Sequence, residues 1–211
     1  MTNHTESLFL RQVKVGIEHR FRGEPFKKKG VFGQKQGASV GFSASAGLGK
    51  QQVITLKTSN LYDQTHIKYK ISRQFKPKHY VGVTAAYDQF KLSTKEEQTV
   101  SGGIFYGFQE EEKGDIALDI TYKDYFSDMQ TGIGLSWYLS SKLSVFYEGK
   151  TAIAAYKKNP IHMAGFKVMT FGHNFYVYTS NQTDVGAILG ESGTDEETFY
   201  MGFLLERVFD F

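Results

Sequence analysis

Lys68 and Lys70 stand two residues apart in the run His66-Ile67-Lys68-Tyr69-Lys70-Ile71. In an extended chain that spacing points both ammonium groups to one face and Ile67, Tyr69 and Ile71 to the other. The same alternation sets Lys14, Glu18 and Arg20 against Val13, Val15 and Ile17, and it places Asp115, Asp119, Lys123, Glu148, Lys150 and Lys167 on polar faces of their own segments. A charge on the lipid side of a membrane strand costs about 2–4 kcal/mol near the midplane for Lys or Arg, so such charges must face water or a partner. Two arrangements stay open: a charged constriction that selects solutes, and an interlocking set of ion pairs that fills the interior. Basic side chains outnumber acidic ones in this set, which would favour anions slightly in an open lumen.

Other chemistry is faintly written. The histidines His4, His19, His66, His79, His162 and His173 show no His-x-His or His-x-x-x-His spacing, so no compact metal site is expected. His173 and Ser180 share a segment but differ in parity, which points them to opposite faces and gives no nucleophile and base pair. Gly47-Leu48-Gly49-Lys50 lacks the spacing of a phosphate loop and reads as a hairpin. Asn181-Gln182-Thr183 matches a glycosylation acceptor in form only, and the acidic stretch 184–197 reads as a solvated tip that could take calcium or bridging cations. Cysteine is absent, which excludes a disulfide scaffold and a thiolate site, and a net charge of +3 is too small for a nucleic-acid binder. Neither an enzyme nor a cofactor is expected.

The elements that must carry these side chains are strands. With 18 Phe, 13 Tyr, 22 Gly and only 3 Pro in 211 residues, composition favours extended segments and tight turns in one domain, residues 1–211. About twelve strands of roughly 9 to 11 residues follow from the period of two. They lie near 12–21, 38–48, 53–59, 65–73, 80–89, 99–108, 115–125, 130–139, 143–152, 162–170, 173–180 and 198–211. No apolar run reaches the length of a membrane helix, so a bilayer would be crossed as a closed barrel. The mean hydropathy of -0.37 is no objection, since only alternate residues of a barrel strand meet lipid.

Links alternate too. Those at 49–51, 76–78, 110–114, 140–142 and 171–172 are compact, whereas those at 22–36, 90–98 and 181–197 are long, which matches short periplasmic turns and longer outer loops. Gly132, Gly134 and Ser136 oppose Ile133, Leu135 and Trp137, so small and polar residues belong to a crowded lumen and bulky ones to lipid. Phe108, Trp137, Phe209 and Phe211 fall near the proposed periplasmic rim, where aromatic rings favour the membrane interface. A soluble up-and-down barrel also alternates, but it needs about eight strands and would turn its apolar face inward.

The last strand, 199–211, ends on Phe209 and Phe211 and resembles the closing strand of bacterial outer-membrane barrels, which implies an aromatic signal read by the barrel-assembly machinery. Residues 16–21, His66 to Lys70 with Arg73, Asn159-Pro160 and the run 172–181 together resemble a family of small Bacteroidetes outer-membrane β-barrel proteins catalogued as a domain of unknown function. That resemblance implies the barrel fold and the outer membrane, with lipid bilayer and lipopolysaccharide as surroundings, and brings no catalytic residues. Arg207 interrupts the apolar face of the last strand and is expected to snorkel toward the interface. The amino end, residues 1–7, lacks the apolar core of a signal peptide and reads as the start of a mature form with an added methionine.

The sequence therefore predicts a single closed antiparallel transmembrane β-barrel in the bacterial outer membrane. Its polar lumen would be a narrow channel for small hydrophilic solutes or ions. The alternative is a nonconducting surface or scaffold barrel that binds a partner through its outer loops or rim.

Overall fold

Strands with β-branched and aromatic residues at every second position satisfy all their backbone groups only when both edges are paired, and here every strand has two neighbours. The computed structural model describes residues 8–21, 37–49, 51–60, 63–92, 95–110, 112–124, 128–153, 159–182 and 198–211. The strands are β1 (Gln12–Phe21), β2 (Ala38–Gly49), β3 (Gln52–Ser59), β4 (Gln64–Lys76), β5 (His79–Leu92) and β6 (Lys95–Glu110). They continue as β7 (Gly114–Lys123), β8 (Asp128–Ser140), β9 (Leu143–Ala152), β10 (Ile161–Thr170), β11 (His173–Ser180) and β12 (Tyr200–Asp210). Each pairs antiparallel with its sequence neighbour, and β1 pairs with β12 from Gln12↔Asp210 to Arg20↔Gly202, closing a twelve-stranded barrel.

Side-chain burial follows the strand parity all the way round, with the hydrophobic residues outside. Val100, Ile104, Phe42, Leu118, Val177 and Trp137 are exposed, while Arg20, Asp88 and Lys123 are almost completely buried. This inverts the arrangement of a soluble barrel. An apolar belt of this kind is far larger than the few hundred Å² that soluble monomers expose.

The structure corrects the sequence reading in two places. The link expected at 90–98 is a hairpin, with Gln89↔Gln98, Phe90↔Glu97, Lys91↔Glu96 and Leu92↔Lys95 extending the β5–β6 ladder. The mixed charges there hid the strand, because backbone pairing does not need an apolar face once the strands have left lipid. In addition, β3 and β11 have 8 residues each, below the length expected of every strand. The amino end 1–7, the link 22–36 and the acidic stretch 184–197 lie outside the described residues.

The links at 49–51, 76–78, 110–114, 140–142 and 171–172 fall at the end of the barrel that also holds Gln12 and Asp210. Phe108, Trp137, Phe209 and Phe211 gather at that end. Phe108 lies 5.1 Å from the His79 ring, Phe209 stacks with Phe211 at 6.3 Å, and Phe211 N–H donates to the Arg11 carbonyl.

Candidate functional site

The inward face is built from the even positions of β1, β4, β5, β8, β9, β11 and β12 and the odd positions of β2, β3, β6, β7 and β10. On it the structure places Lys14, Glu18 and Arg20 of β1, Lys68 and Lys70 of β4, and Asp115, Asp119 and Lys123 of β7. Glu148 and Lys150 of β9 and Lys167 of β10 share the same face. Around several of them the structure forms side-chain clusters completed by residues that the alternation of charged motifs did not single out.

The most enclosed cluster centres on Glu18. Its Oε1 accepts from Arg20 Nη2 at 2.9 Å and from the Tyr178 hydroxyl at 2.6 Å, and its Oε2 accepts from Lys57 Nζ at 2.8 Å. Arg20 also stacks over the Tyr178 ring at 5.3 Å and donates from Nη1 to the Gln182 carbonyl at 3.0 Å. A buried carboxylate with two cations and a hydroxyl has most of its lone pairs satisfied, which is the condition under which ion pairs tolerate low dielectric. Tyr178 fits because β12 presents Gly202 beneath it, where an added Cβ would stand 2.6 Å from the ring.

A second cluster joins Lys14 to Glu206 at 3.0 Å, and Glu206 also accepts from the Tyr176 hydroxyl at 3.0 Å. Lys167 lies over the Tyr176 ring at 5.3 Å and Lys70 over Phe105 at 5.6 Å. Tyr138 donates to Asp115 at 3.1 Å. On the opposite wall His66 Nδ1 meets Asp88 Oδ1 at 2.5 Å. Lys57 lies beside His66 in the ladder, so a row of charges follows one rung across β3, β4 and β5.

The expectation that the inward face is polar or small fails on β10 to β12. There Met163, Tyr176, Tyr178 and Leu204 form a buried cluster against which Phe146 of β9 packs. This wall lines the interior with apolar bulk, Phe90 of β5 and Phe105 of β6 are buried inward as well, and Glu148, Lys150, Lys167 and Glu206 set charge beside it on β9, β10 and β12. Sequence reasoning missed Lys57, His66, Asp88, Tyr176, Tyr178 and Glu206 as members of the interior. The rows Val53-Thr55-Lys57-Ser59 and Thr84-Ala86-Asp88-Phe90 contain the first and third at inward parity. Glu206 was masked by a strand that is apolar on both faces.

Of the remaining sequence expectations, His173 and Ser180 do point to opposite faces, and Ser180 is fully buried. Asn181 closes the start of β10: its Oδ1 accepts from His162 N–H and its Nδ2 donates to the Pro160 carbonyl. Its burial leaves no room for a glycan.

No protein-family model and no curated protein matches the sequence. Among solved structures the chain is similar to the KdgM porin, with a TM-score of 0.65 at 7% identity, covering 94% of this chain and 99% of that one. It is also similar to the NanC porin, with a TM-score of 0.58 at 8% identity over the same shares of the two chains. At these identities the likeness is one of fold: a closed antiparallel barrel of the porin kind.

Proposed function

We propose that this protein is a barrel of the bacterial outer membrane whose polar interior is a narrow channel for small hydrophilic solutes or ions. The observation that carries the reading is the inverted burial: a largely apolar exterior around an interior containing Lys14, Glu18, Arg20, Lys57, Asp88 and Lys123. Nothing in water stabilises such an exterior, whereas a bilayer does so at about 25 cal/mol for each Å² of apolar surface it covers. The two porins with the same fold support the same reading. Twelve strands lie between eight, whose interior side chains just fill the barrel, and sixteen, which leave an aqueous pore. The path is therefore narrow, and the buried Glu18 cluster stands on its wall. The closing strand, with Phe209 and Phe211, is the segment offered to the assembly machinery.

A nonconducting barrel, binding a partner through loops or rim, is the second reading. It is favoured by the near-complete burial of Glu18, Arg20 and Tyr178 together with the Met163–Leu204 cluster. Purified, heat-modifiable protein in a planar bilayer separates the two. Small stepwise currents are expected of the channel, and silence from correctly folded protein would leave the scaffold.

A further inference from the structure

Arg207 is an exposed cation on the outward face of β12, within the surface that the membrane reading gives to lipid. Across the outward positions of β10, β11, β12, β1 and β2, no described residue is an Asp or a Glu. Among the described outward positions of these strands, then, no side-chain carboxylate offsets the guanidinium. Its position along the barrel is fixed by pairing: Arg207 lies directly beside His173, the first residue of β11, and Val208 N–H bonds the Gly172 carbonyl in the β10–β11 turn. That height is the rim with the compact turns. The guanidinium leans toward the strand end and covers the Phe209 ring at 4.9 Å. His173 is pinned by its Nδ1–H, which donates to the Phe171 carbonyl at 3.3 Å, and stacks on Phe175 at 6.1 Å. Phe171 is wholly exposed, and Phe175 is half-exposed.

We infer that Arg207, set beside His173 and bordered by Phe171, Phe175 and Phe209, binds the phosphate of an anionic phospholipid in the leaflet that surrounds the compact-turn rim. Phenyl rings suit the boundary between acyl chains and headgroups, and a guanidinium there finds phosphate oxygens in the geometry it binds best. An anionic headgroup is specified because a zwitterionic one brings its own cation, whereas the described outward positions of this patch hold a cation and no acidic side chain. The inference rests on the membrane-barrel reading above.

The test uses the full chain folded into phosphatidylcholine vesicles with and without phosphatidylglycerol, and native mass spectrometry of the protein released with its lipid. Wild type should insert into both vesicle types, resist urea better with phosphatidylglycerol, and retain that lipid. R207Q should insert equally well yet retain it about fivefold less, with R207K between them. K142Q, which removes an exposed cation from another turn of the same rim, should behave as wild type. If R207Q retains the lipid as wild type does, or K142Q loses as much, the site is overturned and the membrane barrel stands. Inorganic phosphate added to phosphatidylcholine vesicles should give no protection, and equal protection would make the ligand a free anion and overturn the lipid. Failure of wild type to insert into either vesicle would overturn both readings.

Discussion

The Tyr178 hydroxyl reaches Glu18 at 2.6 Å although a whole strand lies between them: Tyr178 belongs to β11, Glu18 to β1, and Gly202 of β12 occupies the gap. Three strands that include the closing seam are thereby tied by one side-chain bond inside the barrel. The arrangement needs a long ring, a flat neighbour and a carboxylate whose charge Arg20 and Lys57 offset. Removing any one weakens a set whose members share a single buried carboxylate.

Glu18→Gln should therefore be the most damaging substitution of the cluster, because it withdraws the carboxylate that Arg20 and Lys57 share. A loss of about 3–5 kcal/mol is expected, the range for breaking a buried ion pair. Tyr178→Phe deletes a single bond to a charged acceptor and should cost about 1.5–3 kcal/mol. Urea unfolding in vesicles, followed by gel mobility of unheated samples, reads both. Equal, small effects would mean that water solvates the cluster and the lumen is wider than the side chains indicate.

Gly202→Val tests the same relationship from below. The added side chain would stand in the space of the Tyr178 ring, so the ring must leave Glu18 or the seam must open. The double variant Gly202→Val with Tyr178→Ala should recover part of the stability lost by the first change. A double variant no better than Gly202→Val would place the damage in the β12 backbone.

The face assignment is checked at two adjacent residues of β8. Leu135 points outward between Ile116 and Tyr147, while Ser136 points inward between Asp115 and Phe146. Leu135→Arg should block insertion into vesicles, with a penalty of about 2–4 kcal/mol if the site is near the midplane, and Ser136→Arg should insert. Equal tolerance would contradict a lipid-facing exterior.

Sidedness follows from strand parity. A cysteine replacing Glu96, in the β5–β6 hairpin, should react with a membrane-impermeant maleimide from outside intact cells, and one replacing Lys142, in the compact β8–β9 turn, should not. Labelling at Lys142 alone would reverse the orientation.

Strand number and faces were legible because a two-residue period records only inside and outside, and lipid makes that contrast sharp at residues such as Ile133, Leu135 and Trp137. Charged residues within clean alternation, such as Lys68 and Glu18, could be assigned a face for the same reason. Partnership was not legible. Glu18 meets Lys57 and Tyr178 through a curvature that brings distant strands together, and no local pattern encodes that closure. Lys95 to Gln98 shows a different limit, because hydropathy stops reporting a strand where charged and polar residues stand on both of its faces.

Selectivity is the remaining test of the channel, and the interior clusters set its expected size. The charged motifs alone suggest a basic excess, but Lys57 on one side and Glu206 and Asp88 on the other join the interior, so the balance is closer to neutral. Wild-type conductance should accordingly show weak ion preference. Lys68→Gln with Lys70→Gln removes two like charges from one stretch of β4 and should move the reversal potential toward cations. Arg20→Ala with Tyr178→Ala acts differently, since it removes bulk around the buried carboxylate and leaves Glu18 facing the path. Its unit current should rise and its preference should turn cationic. If the first pair alters selectivity and the second leaves the current unchanged, ions pass along the β4 wall, and the Glu18 cluster holds the seam without gating the lumen.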